Sequence, residues 1–200
     1  GFFQRIGTTQ ANGRASYTWF GGRGAFLEQI NPTLEVKSYW DHDRFWDGQG
    51  MEEGEIQLNS RFSFKHNITV WANYKLKMFE FQPEQYEGMF VGNPDGSFNA
   101  FRPDQGNFGQ LKSVTTGLWV NKWERVRGNA MLTWSDTPIF DRRYGVAVEI
   151  AKSMSSRVSM NLYPTSALLA EIGVTYSRLN REQDGVEHSE AIIPRIRTQY

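Results

Sequence analysis

Residues 54–64 and 68–78 read GEIQLNSRFSF and ITVWANYKLKM, and these two neighbouring stretches decide the fold class. Apolar and polar residues alternate in both, with only Ser60 and Trp71 on the unexpected side. Side chains of a β-strand point alternately to opposite faces, so each stretch predicts a strand with one apolar and one polar face. The short connection at residues 65–67 makes the two strands antiparallel neighbours.

The same alternation predicts strands elsewhere in the chain. The clearer ones cover residues 34–40, 129–135, 168–179 and 188–200, and weaker ones cover 15–20 and 108–120. From Tyr144 to Leu162 the apolar residues keep even numbering, which predicts one long strand, although Lys152 and Ser156 leave open a kink or turn at 153–156. Soluble strands usually run about 3 to 10 residues, whereas a membrane strand needs ~9 to 11. The alternation thus predicts about nine strands in total.

The connections between these strands alternate in length. They are long at 41–53, short at 65–67, long at 82–107, short at 121–125, medium at 137–143, short at 163–167 and medium at 180–187. Up-and-down outer-membrane barrels have tight periplasmic turns and longer outer loops. We therefore predict an all-β fold, an antiparallel up-and-down transmembrane β-barrel, with residues 1–200 forming part of a single barrel domain without an internal boundary.

The predicted odd number of strands indicates that the barrel is incomplete in this segment. Single-chain bacterial barrels close with an even number of strands. We expect further strands of the same polypeptide before Gly1, after Tyr200, or both. The start of the chain lacks the pattern of a signal peptide, which also favours a segment from within a longer protein.

Composition narrows the function classes. The mean hydropathy is -0.57, and no apolar run approaches the ~18 residues of a membrane-spanning helix, which argues against a helical membrane protein. The 22 basic and 22 acidic residues cancel, so no global field favours nucleic acid as a partner. Cysteine is absent, which removes disulfides, thiolate metal sites and cysteine nucleophiles.

Four phrases of the sequence carry a resemblance to a known family. They are GFFQR at 1–5, LYPTS at 162–166, IGVTYSRL at 172–179 and IPRIRTQY at 193–200. Together they resemble the C-terminal barrel, a domain of unknown function, of large bacterial outer-membrane proteins that begin with a carbohydrate-binding family 9-like domain and are often labelled membrane-associated hydrolases. The resemblance covers most of the chain. It rests on strand and turn phrasing, and it brings no catalytic residue with it.

The resemblance implies a bacterial outer-membrane location, a sugar-binding-like domain N-terminal to this segment, and a further strand after Tyr200. The expected function is that of a membrane anchor or solute channel, linked to carbohydrate binding or uptake through a domain outside the segment. Expected partners are outer-membrane lipid and a glycan or other small solute; the sequence identifies no partner subunit. The alternative is a soluble extracellular β-rich carbohydrate-binding module, in which the even-numbered residues of 144–162 would face a protein core.

The polar parity of the strands predicts the side chains that line a lumen. They are Glu55, Gln57, Asn59, Arg61, Lys75, Lys77, Glu149, Arg157, Arg195 and Arg197. Their mixed charge favours a network of ion pairs over a strongly ion-selective pore.

Two groups of acidic residues offer atoms suited to metal binding or catalysis. Asp41, His42 and Asp43, with Asp47 nearby, offer metal-ligand atoms, but their spacing matches no established pattern and a solvated loop explains them better. Glu53 and Glu55 share a strand face as a glycosidase pair would, yet a polar lumen produces such pairs routinely. We predict no catalytic residue, no metal site and no cofactor, and consider enzymatic activity unsupported.

Aromatic residues gather around the two longest loops. Those that offer a platform for a sugar ring are Trp40, Trp46, Tyr86, Phe90 and Phe101. Aromatic girdles also mark the positions where barrel strands leave the bilayer, and this interpretation is favoured.

Overall fold

A computed structural model describes residues 7–80, 88, 90–92, 95–100, 108–139, 149–181, 185 and 187–200. The fold is all-β, as predicted. The strands are β1 (Thr8–Ser16), β2 (Trp19–Phe20), β3 (Leu27–Asp41), β4 (Glu53–Phe64), β5 (Ile68–Glu80), β6 (Phe90–Gly92), β7 (Phe98–Ala100), β8 (Phe108–Val120), β9 (Val126–Ile139), β10 (Glu149–Leu162), β11 (Leu169–Arg181) and β12 (Glu187–Gln199). A short helix, α1 (His42–Trp46), follows β3. In the described part of the chain, no helix is both long and apolar enough to cross a membrane.

One antiparallel sheet contains most of the strands. Its order is β1-β3-β4-β5-β8-β9-β10-β11-β12, with β2 also paired to β3, so each main strand lies beside its neighbour in sequence. The main path agrees with the number of strands predicted from the sequence, and β6 and β7 form a separate hairpin. Among the described residues β1 and β12 do not pair with each other, so the up-and-down sheet is not closed.

The connections separate into two ends of the sheet because successive strands are antiparallel. At the end that we call the turn end lie the connections from β4 to β5, from β8 to β9 and from β10 to β11. At the opposite end, called the loop end, lie the connections from β3 to β4, from β5 to β8, from β9 to β10 and from β11 to β12. The predicted alternation of length holds from β3 to β11, but the last loop-end connection, 182–186, is slightly shorter than the turn-end connection at 163–168.

The long strand predicted at 144–162 is β10 over its described part. The pairing with β11 runs without a shift from Ala151↔Arg181 to Leu162↔Ala170. This continuous pairing excludes a turn at 153–156, and Lys152 remains in register opposite Asp136. Residues 144–148 lie outside the described residues.

The solvent exposure of the two faces of the sheet is the reverse of that usual in soluble proteins. On the apolar face, Leu58, Val158 and Ile172 are 46%, 51% and 43% exposed. On the polar face, Thr33 and Ser159 are only 5% and 7% exposed. Soluble proteins place large aliphatic side chains inside and polar ones outside. Here the aliphatic face is open, and the polar face is the more sheltered one.

The β4–β5 turn requires an unusual backbone. His66 and Asn67 have φ values of 66° and 57°, a left-handed conformation that asparagine tolerates and that β-branched residues avoid. We expect Asn67→Val to lower the free energy of unfolding by about 1 to 2 kcal/mol, and Asn67→Gly to cause no loss because glycine adopts positive φ freely. Urea titration of both variants in detergent micelles checks this, and equal loss in both would contradict it.

Candidate functional site

The polar face of β1, β3, β4 and β5 carries a continuous series of ion pairs. Arg14 Nε lies 3.4 Å from Glu35, and Lys37 Nζ lies 3.9 Å from both Glu35 and Glu55. Lys75 Nζ lies 3.4 Å from Glu55, and Lys77 Nζ lies 3.8 Å from Glu53. We call these seven residues the ionic ladder.

The strand register explains the ladder. Lys37 stands opposite Glu55, and Arg14 stands opposite Glu35, so basic and acidic side chains alternate across neighbouring strands. Opposite charges at facing positions of an antiparallel pair stabilise it, and like charges there destabilise it. Because partly exposed ion pairs contribute about 0 to 1 kcal/mol each, the larger effect of the ladder is to fix where positive and negative charge stand on this face.

Amide and hydroxyl groups continue the polar face. Gln57 Nε2 donates to Asn59 Oδ1 at 3.1 Å, and Asn73 Nδ2 donates to the same oxygen. On β8 to β10 the groups are smaller: Thr133 Oγ1 donates to Thr115 Oγ1 at 3.2 Å. The face thus carries the ionic ladder on β1 to β5, whereas hydroxyl groups hydrogen-bond across β8 and β9.

Trp71, the exception in the polar parity of β5, has a structural explanation. A Cβ atom at Gly117, opposite it on β8, would lie only 2.5 Å from the Trp71 ring. The indole therefore lies over the glycine, a pairing that covers the backbone gap left by a missing side chain. The Trp71 and Trp119 ring centroids are 6.1 Å apart, and the Arg61 guanidinium lies 5.8 Å from the Trp119 centroid. This cluster belongs to the turn-end half of the polar face.

The close contact between Trp71 and Gly117 gives a test of this half of the sheet. Gly117→Ala places a methyl group inside the space of the indole, so we expect the free energy of unfolding to fall by about 1 to 3 kcal/mol, the usual cost of overpacking. Gly128→Ala is the matched control, since its added Cβ would approach nothing closer than 3.9 Å. Urea unfolding monitored by tryptophan fluorescence distinguishes the two. An equal loss in the control would contradict the assigned contact.

The structure brings most of the predicted lumen residues onto one face. Glu55, Gln57, Asn59, Arg61, Lys75 and Lys77 share the polar face of β4 and β5. Arg157 stands on the same face of β10, and Arg195 and Arg197 stand opposite Gly173 and Glu171 on β12. Glu149 is the first residue of β10, and its side chain lies outside the described part of the structure.

The ladder also includes residues that the sequence prediction did not name as site residues. Arg14 lies in a strand whose apolar parity holds only alanine and glycine near it, so the alternation around it is weak. Glu35 and Lys37 have the right parity, and their place in the ladder follows from the register of β3 with β4. Parity gives the face of each residue, and the pairing of strands gives its partner.

The predicted loop aromatics are only partly described. The Trp40 and Phe45 rings have centroids 5.4 Å apart, as do the Phe45 and Trp46 rings, so Trp40 and Trp46 join one cluster beside α1. Phe90, 48% exposed, belongs to the β6–β7 hairpin. Tyr86 and Phe101 lie outside the described residues.

Asp41 and His42 have structural roles at α1. The Asp41 carboxylate caps the helix by accepting hydrogen bonds from the Asp43 and Arg44 backbone N–H groups at 3.0 and 3.5 Å. His42 Nε2 accepts from Trp46 Nε1 at 3.2 Å, and His42 Nδ1 lies 3.0 Å from Thr9 Oγ1. An indole N–H can only donate, so this contact requires an unprotonated Nε2. Within the described residues, no three His, Asp or Glu side chains are grouped to hold a metal ion.

Glu52, Glu53 and Glu55 all contact basic side chains. Glu53 and Glu55 do share the polar face, but each contacts a lysine of β5. Glu52 contacts Arg44 at 3.5 Å. Their side chains thus belong to ion pairs of the sheet and of the α1 connection.

Comparison of the chain with family models, with curated proteins and with solved structures finds no match.

Proposed function

We propose that this chain is part of a bacterial outer-membrane β-barrel whose apolar face contacts lipid and whose polar face lines a water-filled lumen. The observation behind the proposal is the exposure of the apolar face: Leu58, Val158 and Ile172 are each more than two-fifths exposed. In water such a surface would be strongly unfavourable, at roughly 25 cal/mol per Å². Acyl chains remove that cost.

The height of the apolar face suits a bilayer. On β10 the outward positions are apolar or small from Met154 to Leu162, and Lys152 ends the run. At about 3.3 Å per residue and a tilt of about 40°, this stretch spans roughly 20 to 25 Å, close to the apolar band of outer-membrane barrels. Under the proposal, the loop end faces outward and the turn end faces the periplasm.

Both edges of the sheet must be paired in the assembled barrel. In β12 the isoleucines at 192, 193 and 196 are 66%, 60% and 77% exposed, so side chains on both faces are open. Unpaired backbone groups cannot be solvated inside a bilayer, and each costs several kcal/mol. The proposal therefore requires β1 and β12 to hydrogen-bond with each other or with further strands.

The barrel would anchor the protein and pass small polar solutes through the lumen. The family resemblance suggests that solute passage is linked to carbohydrate binding by a sugar-binding-like domain outside the segment. A soluble carbohydrate-binding module is less well supported, because it needs the outward residues of β10 to lie in a protein core. Val158 and Met160 are 51% and 39% exposed.

Cysteine labelling tests the membrane orientation directly. These 200 residues contain no cysteine, so a single substitution introduces the one thiol of this segment. In intact outer-membrane vesicles we expect Asn73→Cys and Lys75→Cys to react with a small water-soluble maleimide, and Ala72→Cys and Tyr74→Cys to react only after denaturation. These four residues alternate along β5. Rapid labelling of Tyr74→Cys in intact vesicles, or recovery of the protein in the soluble fraction, would refute the proposal.

A further inference from the structure

Among the described residues, charged side chains cluster on the apolar face near the loop end of β8 to β11. Lys112, Asp136 and Lys152 occupy this face on three adjacent strands, and Arg178 occupies it on the fourth. They stand next to the outward-facing Val114, Trp134 and Met154. We call this cluster the rim site.

Asp136 holds the rim site together. Lys152 Nζ donates to Asp136 Oδ1 at 2.7 Å, and the Lys112 backbone N–H donates to Oδ2 at 3.0 Å. The Asp136 side chain is only 11% exposed, whereas Lys152 is 56% exposed. Both carboxylate oxygens are thus used within the cluster, and the lysine ammonium is kept at the surface.

The two other cations are differently placed. Arg178 Nε donates to Asn180 Oδ1 at 3.1 Å, and its Nη2 lies 3.2 Å from Glu187 on β12. Glu190, opposite Arg178, accepts a hydrogen bond from the Tyr176 hydroxyl at 2.8 Å. Within the described residues the Lys112 ammonium makes no salt bridge. Donor capacity therefore remains at the site despite the three carboxylates around it.

The rim site forms an open pocket of about 460 Å³ with both charged and apolar side chains in its lining. Nearer the loop end, Lys112 and Lys152 flank Asp136. In the next row of this face, Met154 stands opposite both Trp134 and Arg178, and Trp134 and Met154 are 44% and 36% exposed. An amphiphile with an anionic head and an apolar chain matches this lining.

We propose that the rim site binds the phosphate of an anionic membrane lipid, with the acyl chain along Trp134 and Met154. The inference rests on the proposed function, which puts this face against lipid and this end at the outer leaflet. Lysine and arginine are the usual partners of phosphate oxygens, and basic clusters at a membrane boundary bind lipid headgroups. The phosphate would contact Lys112, Lys152 and Arg178, while Asp136 positions Lys152.

The test measures lipid binding by the full-length protein in a neutral detergent. Phosphatidylglycerol, phosphatidylcholine and inorganic phosphate are each titrated into the protein, and native mass spectrometry measures how much of each is bound. We expect phosphatidylglycerol to bind, and Lys112→Gln and Arg178→Gln each to weaken it about tenfold, the value of one charged hydrogen bond. Within the described residues, Lys112→Gln breaks no salt bridge. Lys122→Gln, the same change in the β8–β9 turn, is the control and should bind as the parent does.

Each outcome decides the inference. Preference for phosphatidylglycerol that both variants reduce supports it. Equal binding of phosphatidylcholine, or binding unchanged in both variants, overturns it. Competition by inorganic phosphate at equal concentration would assign the site to free phosphate and overturn the lipid assignment. The cysteine labelling of β5 reports membrane orientation separately, so a barrel with normal labelling and no lipid preference would remove only the rim site.

Discussion

Replacing Val174 by arginine is expected to prevent stable insertion of the sheet into a membrane, whereas the same replacement of Ser177 is not. Val174 lies on the apolar face of β11, 42% exposed, opposite Val158 and Pro194. An arginine near the midplane of a lipid-facing strand costs about 2 to 4 kcal/mol. This is a large part of the total stability of a protein, typically about 5 to 15 kcal/mol.

Ser177 is a closely matched control for Val174 because it lies on the same strand. It is exposed on the polar face, opposite Ser155 and Ala191, where the proposed lumen would solvate a guanidinium. Refolding of the full-length protein into lipid vesicles over a urea gradient, followed by the gel mobility of unheated samples, measures both variants. Comparable effects from the two arginines would contradict the assignment of the apolar face to lipid.

The strands were largely predictable because alternation is a local property. Residues 54–64 and 68–78 correspond to β4 and β5 within two residues at either end. β1 was predicted poorly, at 15–20 instead of Thr8–Ser16. Its apolar face carries Ala11, Gly13 and Ala15, which contrast too weakly with Gln10 and Asn12 to produce a clear period.

Features that depend on pairing between strands were beyond the sequence pattern. Trp71 looked like an exception to parity until the register brought it over Gly117. Lys152 likewise looked like a break in the long strand, and only the pairing of β8, β9 and β10 groups it with Asp136 and Lys112. The helix α1 has five residues, too few to show a helical period. For Trp71 and Lys152 the local sequence is an exception, and its explanation lies on another strand.

Replacing Glu55 by glutamine is expected to shift the ion selectivity of the proposed lumen toward anions. Glu55 is the carboxylate between Lys37 and Lys75, at 3.9 and 3.4 Å, and its side chain is 19% exposed. Glutamine keeps the size of the side chain and removes its charge. Two ammonium groups then face each other across β4 without their shared partner, so the local potential becomes more positive.

The matched variant is Lys75→Gln, which removes the opposite charge from the same ion pair. Each change should cost about 1 kcal/mol of stability or less, as partly exposed ion pairs do, so both proteins should still assemble. In planar bilayers with a KCl gradient, we expect the reversal potential of Glu55→Gln to move toward the chloride value and that of Lys75→Gln toward the potassium value. Shifts of the same sign, or none in either variant, would mean that ions do not pass along the ionic ladder, because a charge that lines the conduction path must act with its own sign.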